Sequence, residues 1–345
     1  MSLMHALHFD SGIVPSILLL TNGGTASVTQ KRTGGYSLQI SPVTMDYFRI
    51  VSLPLSSAQS ELYFQVALYF DTIWWNENTY SSILRWRSSV GTVLGGIRLN
   101  HTSRCLDVFT GNYTTLVASG TTTISQQVWN LIEVHVRIAD SGIIEIRVNQ
   151  LSDSTFSGDT KPGADTSIFY LDFTCVYNDS SSGKQTYFDD IVVNNPLGSY
   201  NNSWPNAAKV YYLLPTGDGA TKQWTPTPAG LTHYTTIDDV PVSAVDYLRV
   251  TTTNLVDIFT MADLPSSAGS IKAVIPEVYA FKGSTESPTK LGIGIDIGSG
   301  VEYSIDKSLG TNQVLVSNTW EQKPGGGNFS SADVNALQLY LKSLP

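Results

Sequence analysis

"WNLIEVHVRIADSGIIEIRVN", residues 129–149, decides the fold. In an extended chain Ile132, Val134, Val136 and Ile138 point one way, and Glu133, His135 and Arg137 point the other. Ala139 to Gly142 then make a turn. Beyond it Ile144, Ile146 and Val148 alternate with Glu145, Arg147 and Asn149. Period-two alternation around a short Asp/Gly turn predicts an antiparallel hairpin with one wet face.

The same reasoning extends along the chain. "LGIGIDIGSGVEYSID" (291–306) predicts a second hairpin that turns at Gly298-Ser299-Gly300. Its alternating glycines let a neighbour approach closely, which fits either a subunit contact or tight packing within the sheet. Further strands are expected at 36–40, 46–53, 62–70, 82–87, 94–99, 168–176, 187–194, 208–214, 246–252, 271–281 and 312–319. No long stretch has helical period. "SSADVNALQLYLK" (330–342) reads as one capped helical turn over 331–335, with Ser330 and Asp333 as the capping box, and then a closing strand.

Composition agrees. The 345 residues are 41% hydrophobic, enough for a packed core, but only 14% charged. Ser, Thr, Asn and Gly take up the difference, as suits an all-β chain rich in turns. The net charge of -9 and the lack of any Lys/Arg-rich run exclude nucleic acid as an expected partner. Ile17 to Leu20 is too short an apolar run to enter a membrane, and the first residues carry no secretory leader pattern, so no membrane insertion and no classical export are expected. Cys105 and Cys175 form no CxxC and read as two buried thiols.

The fold class expected is all-β, with two antiparallel β-sandwich (jelly-roll) domains in tandem. Their boundaries are 1–197 and 206–345, joined by a linker at 198–205 within the Asn/Gly/Ser/Pro-rich "NNPLGSYNNSWPN". "PVTMDYFRI" from Pro42 and "PVSAVDYLRV" from Pro241 echo each other. An internal duplication would produce that echo, and so would low complexity.

Four stretches of the first part resemble a laminin-G-like, concanavalin-like jelly roll: "HFDSG" (8–12), "VWNLIEVHVRI" (128–138), "SGIIEIRVNQ" (141–150) and "YFDDIVVNN" (187–195). The second part, with "AAKVYYLLPTGDGATKQWTPTPAGLTHYTTIDDVP" (207–241) and "WEQKPGGGNFSSADVNALQLYLK" (320–342), resembles a module of tailed-bacteriophage virion proteins that follows such a domain. The resemblance implies a non-enzymatic structural protein on the particle exterior: tail, fibre, baseplate or capsid decoration. Its implied partners are other virion proteins and copies of itself, as a trimer or hexamer, and its localisation is the virion, assembled in the host cytoplasm. The alternative is a carbohydrate-binding module or adhesin that recognises host-surface glycans.

Asp189 and Asp190 are neighbours on a strand and face opposite sides unless a bulge intervenes, which argues against a glycosidase pair. Jelly-roll modules with a similar ending hold a structural calcium, so Asp10, Asp189 and Asp190 are the candidate metal ligands, against the simpler reading of carboxylates satisfied by backbone N–H groups. Trp74, Trp75 and Tyr80 are the candidate glycan-stacking residues. His5 and His8 read as surface or edge residues, "PTGDGATK" (215–222) as a turn, and no nucleophile elbow or catalytic carboxylate pair is present.

Overall fold

The structure is a computed structural model that describes every residue except 1, 22–23, 42–48, 72–79, 113, 177–184, 244, 284–287 and 305. The chain divides into two compact units, Met1–Val210 and Tyr211–Pro345.

The first unit is all β. Its strands are β1 (Leu3–Leu7), β2 (Leu19–Thr21), β3 (Thr25–Ser27), β4 (Ser37–Ile40), β5 (Arg49–Gln59), β6 (Glu61–Phe70), β7 (Tyr80–Arg87) and β8 (Val93–Asn100). They continue with β9 (Leu106–Thr110), β10 (Thr115–Ser119), β11 (Trp129–Arg137), β12 (Gly142–Val148), β13 (Leu151–Gly158), β14 (Ile168–Val176) and β15 (Thr186–Asn194). Eight strands make one antiparallel sheet, in the order β13-β12-β11-β6-β15-β4-β3 with β1 also on β15. Seven make the other, in the order β10-β9-β8-β7-β14-β5-β2.

The founding hairpin is β11–β12, with Val134 opposite Ile146 and His135 opposite Glu145. Its apolar side joins a core that draws on both sheets: Val134, Val136, Ile144 and Ile146 from one, Leu84, Trp86, Ile97, Val108, Leu171 and Phe173 from the other. Each such side chain contributes roughly 1.5–3 kcal/mol by leaving water. Cys105 and Cys175 are buried free thiols.

Residues 203–210 run as a strap over the eight-stranded sheet, held by side chains rather than by a ladder. Asn194 donates to the Ser203 carbonyl at 2.8 Å, Glu133 accepts from Asn206 N at 2.8 Å, and Asp190 accepts from Val210 N at 2.7 Å. The strand expected at 208–214 does not form, because these backbone groups bond to side chains instead of to a neighbouring strand.

The second unit holds β16 (Pro215–Lys222), β17 (Thr225–Thr227), β18 (Tyr247–Arg249), β19 (Val256–Met261), β20 (Glu277–Ala280), β21 (Lys290–Asp296), β22 (Glu302–Tyr303), β23 (Lys307–Ser308), β24 (Val314–Ser317), α1 (Ser331–Asn335) and β25 (Gln338–Leu344). Six strands form a sheet in the order β16-β19-β25-β21-β22, with β23 also on β21, and two ribbons, β17–β18 and β20–β24, complete it. The Ser330–Asp333 capping box starts α1. "PTGDGATK" is an edge strand rather than a turn, since Gly219 lies against Ile258 of β19 where no side chain would fit. In the β21–β22 hairpin the glycine face is taken up within the chain: a Cβ on Gly294 would lie 2.9 Å from Tyr303.

Candidate functional site

One row of residues crosses all seven strands of the β10-to-β2 sheet in continuous register. Leu19 pairs with Ser52, Ser52 with Asp172, Asp172 with Arg85, Arg85 with Gly96, Gly96 with Phe109, and Phe109 with Leu116. Directly opposed residues share a face. The row lies on the side away from Leu84, Trp86, Leu171 and Phe173, which fill the core. A sheet face turned from its core is expected to be polar and solvated. Here it carries two buried carboxylates, Asp107 and Asp172, and three arginines.

Asp172 is fully buried at the centre of this face. Its Oδ2 accepts from Arg85 Nε at 2.5 Å and Arg87 Nε at 2.6 Å. Its Oδ1 accepts from Ser52 Oγ at 2.6 Å and Arg87 Nη2 at 2.9 Å. Burial pushes the Asp172 carboxyl up, but the bonds from Arg87 and Ser52 and the charge of Arg85 outweigh it, holding the group below the usual carboxylate range. The arrangement fixes both guanidinium planes. Arg87 also lies over the Tyr170 ring, 4.8 Å from its centroid.

A second guanidinium–ring group stands beside the first. Arg98 lies 5.0 Å from the Phe109 centroid and 6.0 Å from that of Tyr80. Asp107, opposite Arg98, accepts from Asn100 Nδ2 at 2.8 Å and Ser119 Oγ at 2.6 Å. Tyr80 and Leu116 are exposed, while Arg85, Arg87, Arg98 and Tyr170 are half-buried. Flat rings and rigid planar donors on a sheet face suit a ligand with flat apolar patches and many hydroxyl groups.

Of the candidate glycan-stacking residues, Tyr80 stands on this face, and Trp74 and Trp75 lie outside the described residues. The sequence alone does not single out Arg85, Arg87, Arg98 and Asp172. Their only signal is a lone charge among apolar residues, as in "LRWR" (84–87) and "LDF" (171–173).

The three aspartates read as calcium ligands each bond a part of the loop at residues 32–36 rather than a common centre. Asp10 Oδ1 accepts from Gly35 N at 2.5 Å and Tyr36 N at 3.0 Å. Asp189 accepts from Arg32 N at 2.9 Å, Thr33 N at 3.2 Å and Asp190 N at 2.8 Å. Asp190 accepts from Arg32 Nη1 at 2.5 Å, Thr33 Oγ1 at 2.8 Å and Val210 N. Both members of the pair reach residues 32–33 because a register shift follows Asp189 and Asp190 has a φ of 48°. This donor set does not fit calcium: its oxygens already face N–H groups and a guanidinium, and among the described residues no group of three or more metal-binding side chains comes together. His8 is buried here rather than at the surface, and its Nδ1 accepts from Asp10 N at 3.1 Å.

No protein-family model and no curated protein matches the chain. Solved structures of similar architecture include an endo-β-1,4-glucuronan lyase from the fungus Trichoderma reesei, with 13% identity and a TM-score of 0.43 over 53% of this chain and 92% of that one. A Bacillus subtilis protein of unknown function with a galectin-like fold has 11% identity and a TM-score of 0.41, over 56% of this chain and 96% of that one. The Emp47p carbohydrate recognition domain has 11% identity and a TM-score of 0.40, over 56% and 97%. At these identities the likeness is one of architecture. It corrects the expectation of a non-enzymatic chain: a lyase is among the proteins of similar architecture, so the fold does not set enzymes aside.

Proposed function

We propose that the first unit is a carbohydrate-binding sandwich whose glycan site is the outward face of the seven-stranded sheet. The observation that carries this reading is the row through Ser52, Asp172, Arg85, Gly96 and Phe109, with Arg98 between the Phe109 and Tyr80 rings. Protein sites for sugars need an aromatic plane against which a ring can lie and hydrogen-bond donors that lose little freedom on binding. Tyr80 supplies the plane. Asp172 removes the rotamer freedom of Arg85 and Arg87 before any ligand arrives.

The experiment is a glycan panel read with the full chain, its Tyr80→Ala variant and its Arg98→Ala variant. Binding by the parent that is weakened in both variants, with unfolding midpoints unchanged, supports the reading. Equal binding by all three, or none by the parent, removes it.

The setting we propose for this binding is the exterior of a tailed-phage particle, with host-surface glycan as the target and with other virion proteins and further copies of this chain as neighbours. That setting rests on the sequence resemblance alone. Finding the chain in regular copies in purified particles would support it, and its absence from them would remove it. Among the described residues no helix is long and apolar enough to cross a membrane.

A further inference from the structure

Two guanidinium groups share one carboxylate on this face, and the imbalance has a consequence for the ligand. Asp172 balances the charge of only one of Arg85 and Arg87, which leaves one positive charge at the centre of the sheet in a chain whose net charge is -9. Among the described residues Arg85 is bonded through Nε alone, and neither of its terminal nitrogens meets a hydrogen-bond acceptor there. Arg87 uses Nε and Nη2, leaving Nη1 in the same condition. The two side chains keep 13% and 20% of their surface open. Arginine donors left over in a half-buried position are matched best by a planar anion that accepts two N–H bonds at once.

Next along the row from Arg85 comes Gly96, which has no side chain, and then the Phe109 ring beneath Arg98. Arg85 and Phe109 are two strand spacings apart, roughly 10 Å. A sugar chain lying across the strands could place a carboxylate at Arg85 and a ring toward the aromatic pair.

We propose that the glycan recognised on this face is acidic, carrying a sugar carboxylate that is bound by the terminal nitrogens of Arg85 and Arg87. This inference rests on the glycan-binding reading above and narrows it to uronic-acid or sialic-acid glycans.

The test is calorimetric titration of the full chain with three probes of equal length: a uronic-acid tetrasaccharide, a tetrasaccharide ending in sialic acid, and a neutral glucose tetrasaccharide. One acidic probe is expected to bind about tenfold or more tighter than the neutral one. Which acidic probe wins identifies the source of the carboxylate. The preference is expected to shrink as salt is raised and to vanish in Arg85→Gln. Arg85→Lys keeps the charge but loses the planar fork, so it should retain only part of the preference. Tyr80→Ala should weaken all three probes alike. If the neutral probe binds as well as both acidic ones, or if Arg85→Gln folds normally and keeps the preference, the inference is overturned while glycan binding stands. If no probe and no member of the panel binds, the glycan reading itself fails.

Discussion

Gln65 and Ala208 exchange two hydrogen bonds: Gln65 Nε2 donates to the Ala208 carbonyl at 2.7 Å, and its Oε1 accepts from Ala208 N at 3.0 Å. A side-chain amide thus does for the strap what a neighbouring strand does in a sheet. Gln65 is fully buried. Replacing it with leucine removes both bonds and leaves the half-buried Ala208 N–H without its partner, at a cost of about 1–3 kcal/mol. Gln65→Leu should therefore lower the urea midpoint of the first unit. An unchanged midpoint would mean that the strap is not bound in solution.

The Asp172 cluster allows a graded test. Asp172→Ala leaves two arginines without their shared anion and should cost about 3–5 kcal/mol. Ser52→Ala removes one hydroxyl donor from the same carboxylate and should cost about 1 kcal/mol. Chemical denaturation of both variants checks the order. Equal costs would show that the ion pairs add nothing beyond an ordinary hydrogen bond.

The Arg32 guanidinium pairs with Asp190, while Asp189 accepts only from the backbone N–H groups of Arg32, Thr33 and Asp190. The Asp189 carboxyl is pushed up to about 7, first by burial and then by the charge of Asp190, from an ordinary value of 3.8. Burial raises Asp190 as well. A folded-state value above the unfolded one means that folding holds a proton the unfolded chain releases. This contribution to stability is complete below about pH 4 and is lost as pH rises through about 7. Unfolding free energy measured from pH 5 to 8 should fall, and Asp189→Asn should flatten the fall. A parallel decline in the variant would assign it to other groups.

Gly34 and Gly35 are neighbours with opposite demands. Gly34 has a φ of 65°, and a side chain on it would fall on the Asp10 carboxylate. A Cβ on Gly35 would meet nothing closer than 3.9 Å. Gly34→Ala should cost about 1–2 kcal/mol from the left-handed backbone alone, and more from the clash. Gly35→Ala should cost much less. Thermal unfolding of the two variants separates them, and similar Tm values would contradict the loop geometry.

What could be read from the sequence was local. The β11–β12 hairpin follows from its alternation and its Asp/Gly turn, and the start of α1 from Ser330 and Asp333 three residues apart. What escaped reading depends on distant partners. The contact into which a bulge swings Asp190, with Arg32, spans 158 residues of sequence, and nothing near Asp190 announces it. Residues 203–205 read as the end of a linker and 208–210 as the start of a strand, yet the bonds of this strap go to Asn194, Glu133 and Gln65 on other elements. Arg85 and Arg87 look like the ordinary wet side of a strand. Only the pairing of β7 with β14 puts Asp172 between them.

The most direct test of the account is a crystal structure of the full chain with a bound oligosaccharide from the panel. Sugar density is expected on the outward face of the seven-stranded sheet, with one ring against Tyr80 and polar groups within hydrogen-bond reach of Arg85 and Arg87. Sugar bound anywhere else, with that face left bare, would contradict it.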